Sequence, residues 1–365
     1  TVGGLALILL GMHLSYTSLI LCAALLGLAN SVYHDCQTQG RSAAELLIER
    51  GVLTAYNVDL IAKEVIKASG PRIIGGFHLG VKLGQGGMGA VYRATQLSIG
   101  REVALKLMAP EVARNATFAE RFLREAIAMG AINHPNVITC FDAGQDGKML
   151  YMALELMTGG DADQLARSHK GILPVVRACE IVRDCAAGLC AIHRAGLIHR
   201  DIKPANIFLG EDGTAKLADL GLARPEASSD QMTRTGTAMG TPAYMSPEQA
   251  EGVADLDIRS DIYALGATLY ALVTGQPPFI GQSAYAVVAR VINDPLPDPR
   301  TINPNIPDPV AQVIRSAMHK DRRKRLQTPS DLLHQLNRCL DELKAAGLTA
   351  TSVGTGAPSR YRRMV

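Results

Sequence analysis

Charged side chains are missing from the start of the chain: no Asp, Glu, Lys or Arg occurs between Thr1 and Tyr33. Within it, the run from Leu5 to Ala29 is apolar apart from His13, Ser15, Tyr16, Thr17 and Ser18. That is long enough to cross a bilayer, which takes roughly 20 apolar residues. Two readings stay open: a membrane helix anchoring the chain through residues 5–29, or two shorter segments, Gly3–Met12 and Leu19–Ala29. The flanking-charge rule can be read on one side only. Charge of one sign is also missing overall, since 37 basic residues face 34 acidic ones for a net +3. This balance excludes a protein that coats nucleic acid. Among the seven cysteines no pair has CxxC spacing, so neither a disulfide framework nor a metal motif is indicated, as suits a reducing compartment. Cys179, Cys185 and Cys190 fall in an apolar helical stretch and read as small core residues. No GxxxxGK[ST] occurs, which disfavours a P-loop enzyme.

Apolar residues make up 47% of the 365-residue chain and charged residues 19%, enough to bury a sizeable core and to exclude general disorder. Ser42 to Ala68 has helical periodicity around a break at Gly51 and is expected to be a helical leader or linker. After Gly70 and Pro71 come short β-branched runs at Phe77–Leu83, Ala90–Ala94 and Glu102–Met108. A helix is expected over about Ala116–Ile132, then strands at Val137–Phe141 and Leu150–Leu154. Beyond Gly159 the pattern is helical, with long periodic stretches at Val175–Arg194, Ser260–Thr274 and Pro309–Met318. A strand-rich small half before a helix-rich large half gives an α+β arrangement with a cleft between the two lobes. The expected division is a hydrophobic segment over 1–33, a helical leader over 34–75, the main domain over 76–343 and a flexible basic tail over 344–365.

Gly84, Gly86 and Gly89 form GxGxxG in LGQGGMGAVY. A dinucleotide-binding turn should open a helix, whereas Ala90, Val91 and Tyr92 continue as a strand. The loop therefore reads as a hairpin whose backbone N–H groups approach phosphates without an intervening Cβ. Lys106 lies in the apolar strand VALKLM and needs an anionic partner. Glu125, in the following helical segment RFLREAIAMG, is the natural candidate. In IHRDIKPANIFL, residues 198–209, the polar Asp201, Lys203 and Asn206 crowd between apolar flanks, poor core but a good catalytic loop. Asp219 follows in KLADLGLA, and with Asn206 it supplies oxygen ligands suited to Mg²⁺, a hard cation that uses few protein ligands.

Taken in order, these motifs, with GTPAYMSPEQ and DIYALG beyond them, resemble the protein-kinase family over roughly Phe77 to Leu343. The resemblance implies the two-lobed protein-kinase fold, a strand-rich N-lobe and a helical C-lobe, with ATP and Mg²⁺, or Mn²⁺, as cofactors. It implies that Lys106 holds the α- and β-phosphates and pairs with Glu125, and that Asp201 orients the substrate hydroxyl and accepts its proton. Lys203 neutralises the transferring phosphoryl group, while Asn206 and Asp219 hold the metal ions. Leu83, Gly84, Gly86 and Gly89 would cover the nucleotide. Val91, Ala104 and Phe208 would sandwich adenine, Glu155 and Met157 would offer hinge backbone bonds, Leu154 would guard the back of the pocket, and Asp161 would reach the ribose.

Lys203 and Thr241 resemble the serine/threonine branch, so the implied partners are proteins carrying Ser or Thr, with no nucleic acid. A second copy of the chain would serve for trans-autophosphorylation. DLG in place of DFG and SPE in place of APE, through Leu220 and Ser246, resemble bacterial members and remove no catalytic atom. Glu248 is expected to be buried and paired with Arg325, and Asp261 to brace the catalytic loop. Arg200 beside Asp201 suggests that phosphorylation of Thr233 or Thr235 orders the activation segment. The implied place of the domain is cytoplasmic, where ATP is found. The rival readings are a pseudokinase scaffold, against which the retained Lys106, Asp201, Asn206 and Asp219 weigh, and a small-molecule kinase of related fold, against which the segment through Thr241 and Glu248 weighs.

Overall fold

The computed structural model describes residues 73–86, 89–108, 116–220 and 242–348. The apolar run Leu5–Ala29, the helical leader up to residue 72, the basic tail from residue 349 on, and Thr233, Thr235 and Thr241 lie outside the described residues, whereas residues 73–74 are strand and residues 344–345 still helix rather than leader and tail. Among the described residues no helix is long and apolar enough to cross a membrane.

The N-terminal part of the described chain, up to Glu155, builds one antiparallel sheet. Its strands are β1 (Ile73–Ile74), β2 (Phe77–Gly86), β3 (Gly89–Gln96), β4 (Arg101–Met108), β5 (Cys140–Asp146) and β6 (Met149–Glu155), in the order β1-β2-β3-β4-β6-β5. The period of two sorts their side chains. On β4, Val103, Leu105 and Leu107 turn to a small core shared with Phe77, Tyr151 and Ala153. Ala104 and Met108 turn the other way, to the large core that runs into the helical half. Lys106 shares the parity of this second face, and so the pattern VALKLM places a lysine on the side of the sheet that meets the other lobe. Helix α1 (Ala116–Gly130) buries Phe122, Ala126 and Met129 at helical spacing, with Glu125 in the same stripe at 4% exposure.

The apolar run at Val137–Phe141 is not one continuous strand of the sheet: Val137 makes an isolated parallel bridge to Leu217 and only the end of the run joins the sheet. Val137 and Ile138 are buried, and Ile138 N–H donates to the Leu217 carbonyl at 2.9 Å. The fifth strand begins only at Cys140 and continues through the polar FDAGQD. Burial against the large core captures the β-branched pair, while an edge strand needs only a partner for its backbone, which β6 supplies.

The helical half contains α2 (Ala162–Ser168), α3 (Val175–Arg194), the hairpin of β7 (Ile207–Leu209) and β8 (Ala215–Leu217), and then α4 (Pro247–Ala250), α5 (Arg259–Thr274), α6 (Ala284–Asn293), α7 (Asp308–Ala317) and α8 (Pro329–Ala345). Helix α5 is buried from Ser260 to Thr274, as its nearly all-round apolar sequence demands, and forms the centre of the lobe. Cys179 and Cys185 are buried on α3, and Cys190 is half-buried; all three are free thiols. Gly188 on α3 allows a close approach: a Cβ there would meet the Asn136 carbonyl oxygen at 2.4 Å. That carbonyl accepts the Leu217 N–H at 2.9 Å and so fixes β8. Gly188→Ala is expected to destabilise the domain by about 1–3 kcal/mol despite alanine's better helix propensity, because overpacking outweighs it. Urea unfolding of the two proteins measures the difference.

Candidate active site

The glycine motif serves two distinct physical ends. A Cβ on Gly89 would sit 1.9 Å from the Leu107 carbonyl oxygen, so this glycine is required by the packing of β3 on β4. A Cβ on Gly84 or Gly86 would meet no atom of the described residues within 4 Å. Their bare backbone is not explained by the packing of the described residues, and suits close approach by a ligand. Gly84 pairs with Val91, Val91 with Lys106, and Ala104 with Leu154, so one patch of sheet carries the glycine loop, Val91, Ala104 and the lysine. Leu83, beside Gly84, is half exposed at 50%.

Lys106 reaches across to the helical lobe, where its Nζ lies 2.7 Å from Oδ1 of Asp219. Burial alone would lower the Lys106 pKa, but the carboxylates of Asp219, Glu125 and Asp201 outweigh it and hold the value above the ordinary one. In turn, the Lys106 charge holds Asp219 below the usual carboxylate range against the opposing effect of burial. Both groups are therefore ionised at neutral pH. Asp219 has a left-handed backbone, φ +55°, and so does Arg200 at +66°. Non-glycine residues hold such conformations only where the surroundings over-determine them.

Asp201, Lys203 and Asn206 converge as the sequence suggests. Oδ2 of Asp201 accepts from Lys203 Nζ at 3.2 Å and from Asn206 Nδ2 at 2.9 Å, and the Asn206 amide also donates to the Asp201 carbonyl at 2.8 Å. With its nitrogen committed to Asp201, the side-chain oxygen of Asn206 is the atom left to face a cation. The Asn206 carbonyl accepts the Ala218 N–H at 3.0 Å, which ties the loop to the residue preceding Asp219. Among the described residues no group of three or more His, Cys, Asp or Glu could hold a metal by itself. One carboxylate and one amide oxygen suit a hard ion that also takes waters and phosphate oxygens.

Asp261, from α5, braces this loop from below. Its two oxygens accept the His199 N–H at 2.7 Å and the Arg200 N–H at 2.8 Å. Burial lifts its carboxyl to about 7, with those N–H groups opposing the rise. Deeper still, Glu248 and Arg325 form a two-pronged pair at 2.6 and 3.0 Å, and Ser260 Oγ donates to Glu248 at 2.9 Å. Arg325 also lies 5.1 Å from the ring of Tyr263. Burial pushes Glu248 up, but the hydrogen bonds and charge of Arg325 bring it below the ordinary value.

Phe208 is bridged to Asp161 where β7 passes the start of α2. Asp161 caps that helix, accepting the Gln164 N–H at 2.8 Å, and burial raises its carboxyl. Met157 packs half-buried against the large core. The Glu155 side chain is engaged elsewhere: Lys216 Nζ lies 2.6 Å from Oε1, and the Thr139 N–H donates to Oε2 at 3.2 Å. Lys216 escaped the sequence reading, although a lysine between the buried Ala215 and Leu217 of a short strand signals a nearby anion. His199, fully buried in the same loop as Asp201 and with its pKa lowered by burial, escaped it as well.

A glycine-edged sheet, a lysine crossing to an aspartate of the second lobe, and a loop of aspartate, lysine and asparagine define a two-lobed phosphotransferase fold. The family description "Protein kinase domain" matches residues 77–336, and the chain belongs to the protein kinase family. It is 37% identical over 297 residues to a probable serine/threonine-protein kinase of Streptomyces coelicolor, covering 80% of this chain and 44% of that protein. It is 38% identical over 270 residues to the DNA damage-responsive serine/threonine-protein kinase RqkA of Deinococcus radiodurans, covering 73% and 40%. The chain thus spans less than half the length of these relatives. Among solved structures, the kinase domain of PknI from Mycobacterium tuberculosis superposes with a TM-score of 0.59 at 28% identity, over 74% of this chain and 98% of that one.

Proposed function

We propose that the chain is a serine/threonine protein kinase that moves the γ-phosphoryl group of ATP to a Ser or Thr hydroxyl of a protein. The observation that carries this reading is the convergence of Lys106 on Asp219 at 2.7 Å beside a loop in which Asp201 is bonded by Lys203 and Asn206. Lys106 would bind the α- and β-phosphates, with Glu125 adding negative charge behind it. Gly84 and Gly86 would lay backbone N–H groups over the phosphates, with Leu83, Val91, Ala104, Met157 and Phe208 around the base, the Glu155 backbone at the hinge and Asp161 near the ribose. Asn206 and Asp219 would hold a divalent ion, Mg²⁺ by the hardness of their oxygens, and that ion supplies charge neutralisation at the phosphates. Asp201 orients the substrate hydroxyl and takes its proton as the new O–P bond forms and the bond to ADP breaks. Lys203 stabilises the charge on the transferring group.

The kinase domain, 76–343, acts on the cytoplasmic side, where ATP is found. Autophosphorylation falls on Thr233 or Thr235, in trans between two copies. Incubated with MgATP and a basic protein, the chain should yield phosphoserine or phosphothreonine, and mass spectrometry should place phosphate on Thr233 or Thr235. Asp219→Ala should remove the rise in melting temperature that MgATP gives the unaltered chain. Phosphate found only on tyrosine or a small molecule, or an undiminished thermal shift in the variant, would refute these assignments.

A further inference from the structure

The SPEQ sequence, in which Ser246 stands where the family more often has alanine, forms a device that reaches the catalytic loop. Ser246 is fully buried and caps α4: its Oγ accepts the Gln249 N–H at 3.3 Å, and the Gln249 side-chain oxygen accepts the Ser246 N–H at 3.1 Å. This reciprocal pair fixes the Gln249 side chain in one orientation. Its remaining polar atom, Nε2, donates to the Arg200 carbonyl at 3.2 Å. That carbonyl belongs to the peptide that leads into Asp201.

Arg200 carries a left-handed backbone, φ +66°, which a side chain with a Cβ adopts only under constraint. The constraint on its N–H is Asp261, at 2.8 Å. The constraint on its carbonyl is Gln249. Helix α4 is in turn secured to the body of the lobe by Glu248, the residue before Gln249, through Arg325 and Ser260. A rigidly anchored turn of helix therefore ends in one amide aimed at the peptide before the catalytic aspartate.

We propose that Gln249 is a positioning residue for phosphoryl transfer, setting the orientation of Asp201 through the Arg200 carbonyl, with Ser246 holding Gln249 in place. The inference rests on the role given to Asp201 above. Misplacement of a catalytic group by a fraction of an ångström to an ångström lowers rate steeply without weakening nucleotide binding. The carboxylate in Gln249→Glu keeps the acceptor that caps Ser246 but turns the donor facing Arg200 into a second acceptor. Gln249→Met removes both bonds at nearly constant volume.

The experiment compares the full chain with Q249E, Q249M and S246A for kcat, for KM toward MgATP, and for melting temperature. Q249E and Q249M should each lower kcat about 10- to 100-fold with KM for MgATP changed less than about threefold. S246A should have a smaller effect of the same kind. Melting temperature in Q249E should stay close to that of the unaltered chain, because the Glu248–Arg325 anchor and the cap remain. A kcat for Q249E equal to that of the unaltered chain overturns the proposal. So does a loss of activity that follows melting temperature or KM across the variants. If the unaltered chain itself transfers no phosphate beyond the D201N background, the kinase reading fails and takes this one with it; an active chain with an indifferent Gln249 sinks this one alone.

Discussion

Asp201→Asn is expected to lower kcat at least about a hundredfold, the scale on which a positioned general base and its charge contribute. The substitution keeps the shape of the side chain, so the donor from Asn206, at 2.9 Å from Oδ2, still meets an oxygen in one amide orientation. What it removes is the negative charge that faces Lys203 and the capacity to take the hydroxyl proton. The expected signature is thus a fall in kcat with KM for MgATP little changed, since the nucleotide contacts assigned to Lys106, Asn206 and Asp219 remain. Steady-state kinetics on the intact chain, with phosphate incorporation as the readout, separates the two parameters. Equal incorporation by variant and unaltered protein would show that another group does this work.

The largest effect on stability is expected from Arg325→Met. Arg325 is 2% exposed and Glu248 7%, and the pair is joined by two hydrogen bonds. Removing the guanidinium strands a buried carboxylate, which costs about 3–5 kcal/mol. In a domain of this size that corresponds to a fall in melting temperature on the order of 10 °C. The pH dependence has a definite sign. In the unaltered protein Glu248 titrates below its unfolded value, so its contribution to stability is present above about pH 4.3 and is lost as pH falls through the lower folded value. In the variant only the Ser260 and backbone hydrogen bonds still oppose burial, so Glu248 is expected to titrate above its unfolded value, and the deficit shrinks on acidification as the carboxyl becomes neutral. Glu248→Met combined with Arg325→Met should recover part of the loss, because neither charge is then stranded. Chemical denaturation at pH 5 and pH 8 tests the two statements about the variants, and a deficit that grows on acidification would contradict them.

Much of the fold was legible because its chemistry is local in the chain. VALKLM alternates as a strand and turns its lysine to one face. Helix α3 occupies Val175–Arg194, the bounds its periodicity gives. Asp201, Lys203 and Asn206 lie close enough in sequence that one turn of loop brings them together. The run at Val137–Phe141 splits between two partners, Val137 bridging to Leu217 and Cys140 onward pairing with β6, because β-branched composition favours pairing and burial without naming the partner.

By itself the sequence determined which groups the site possesses and the order in which they occur: the glycine loop, Lys106, the loop of Asp201 and Asn206, and Asp219. Which of them touch was decided by the tertiary structure, because the partners lie far apart in the chain. Lys106 meets Asp219 across 113 residues, and Gln249 reaches Arg200 across 49. Lys216 sits 61 residues from Glu155. Residue type and local spacing set a side chain's charge and the face it occupies. Its partner, and therefore its protonation and its role, follows only when buried elements from distant parts of the chain must satisfy one another away from water.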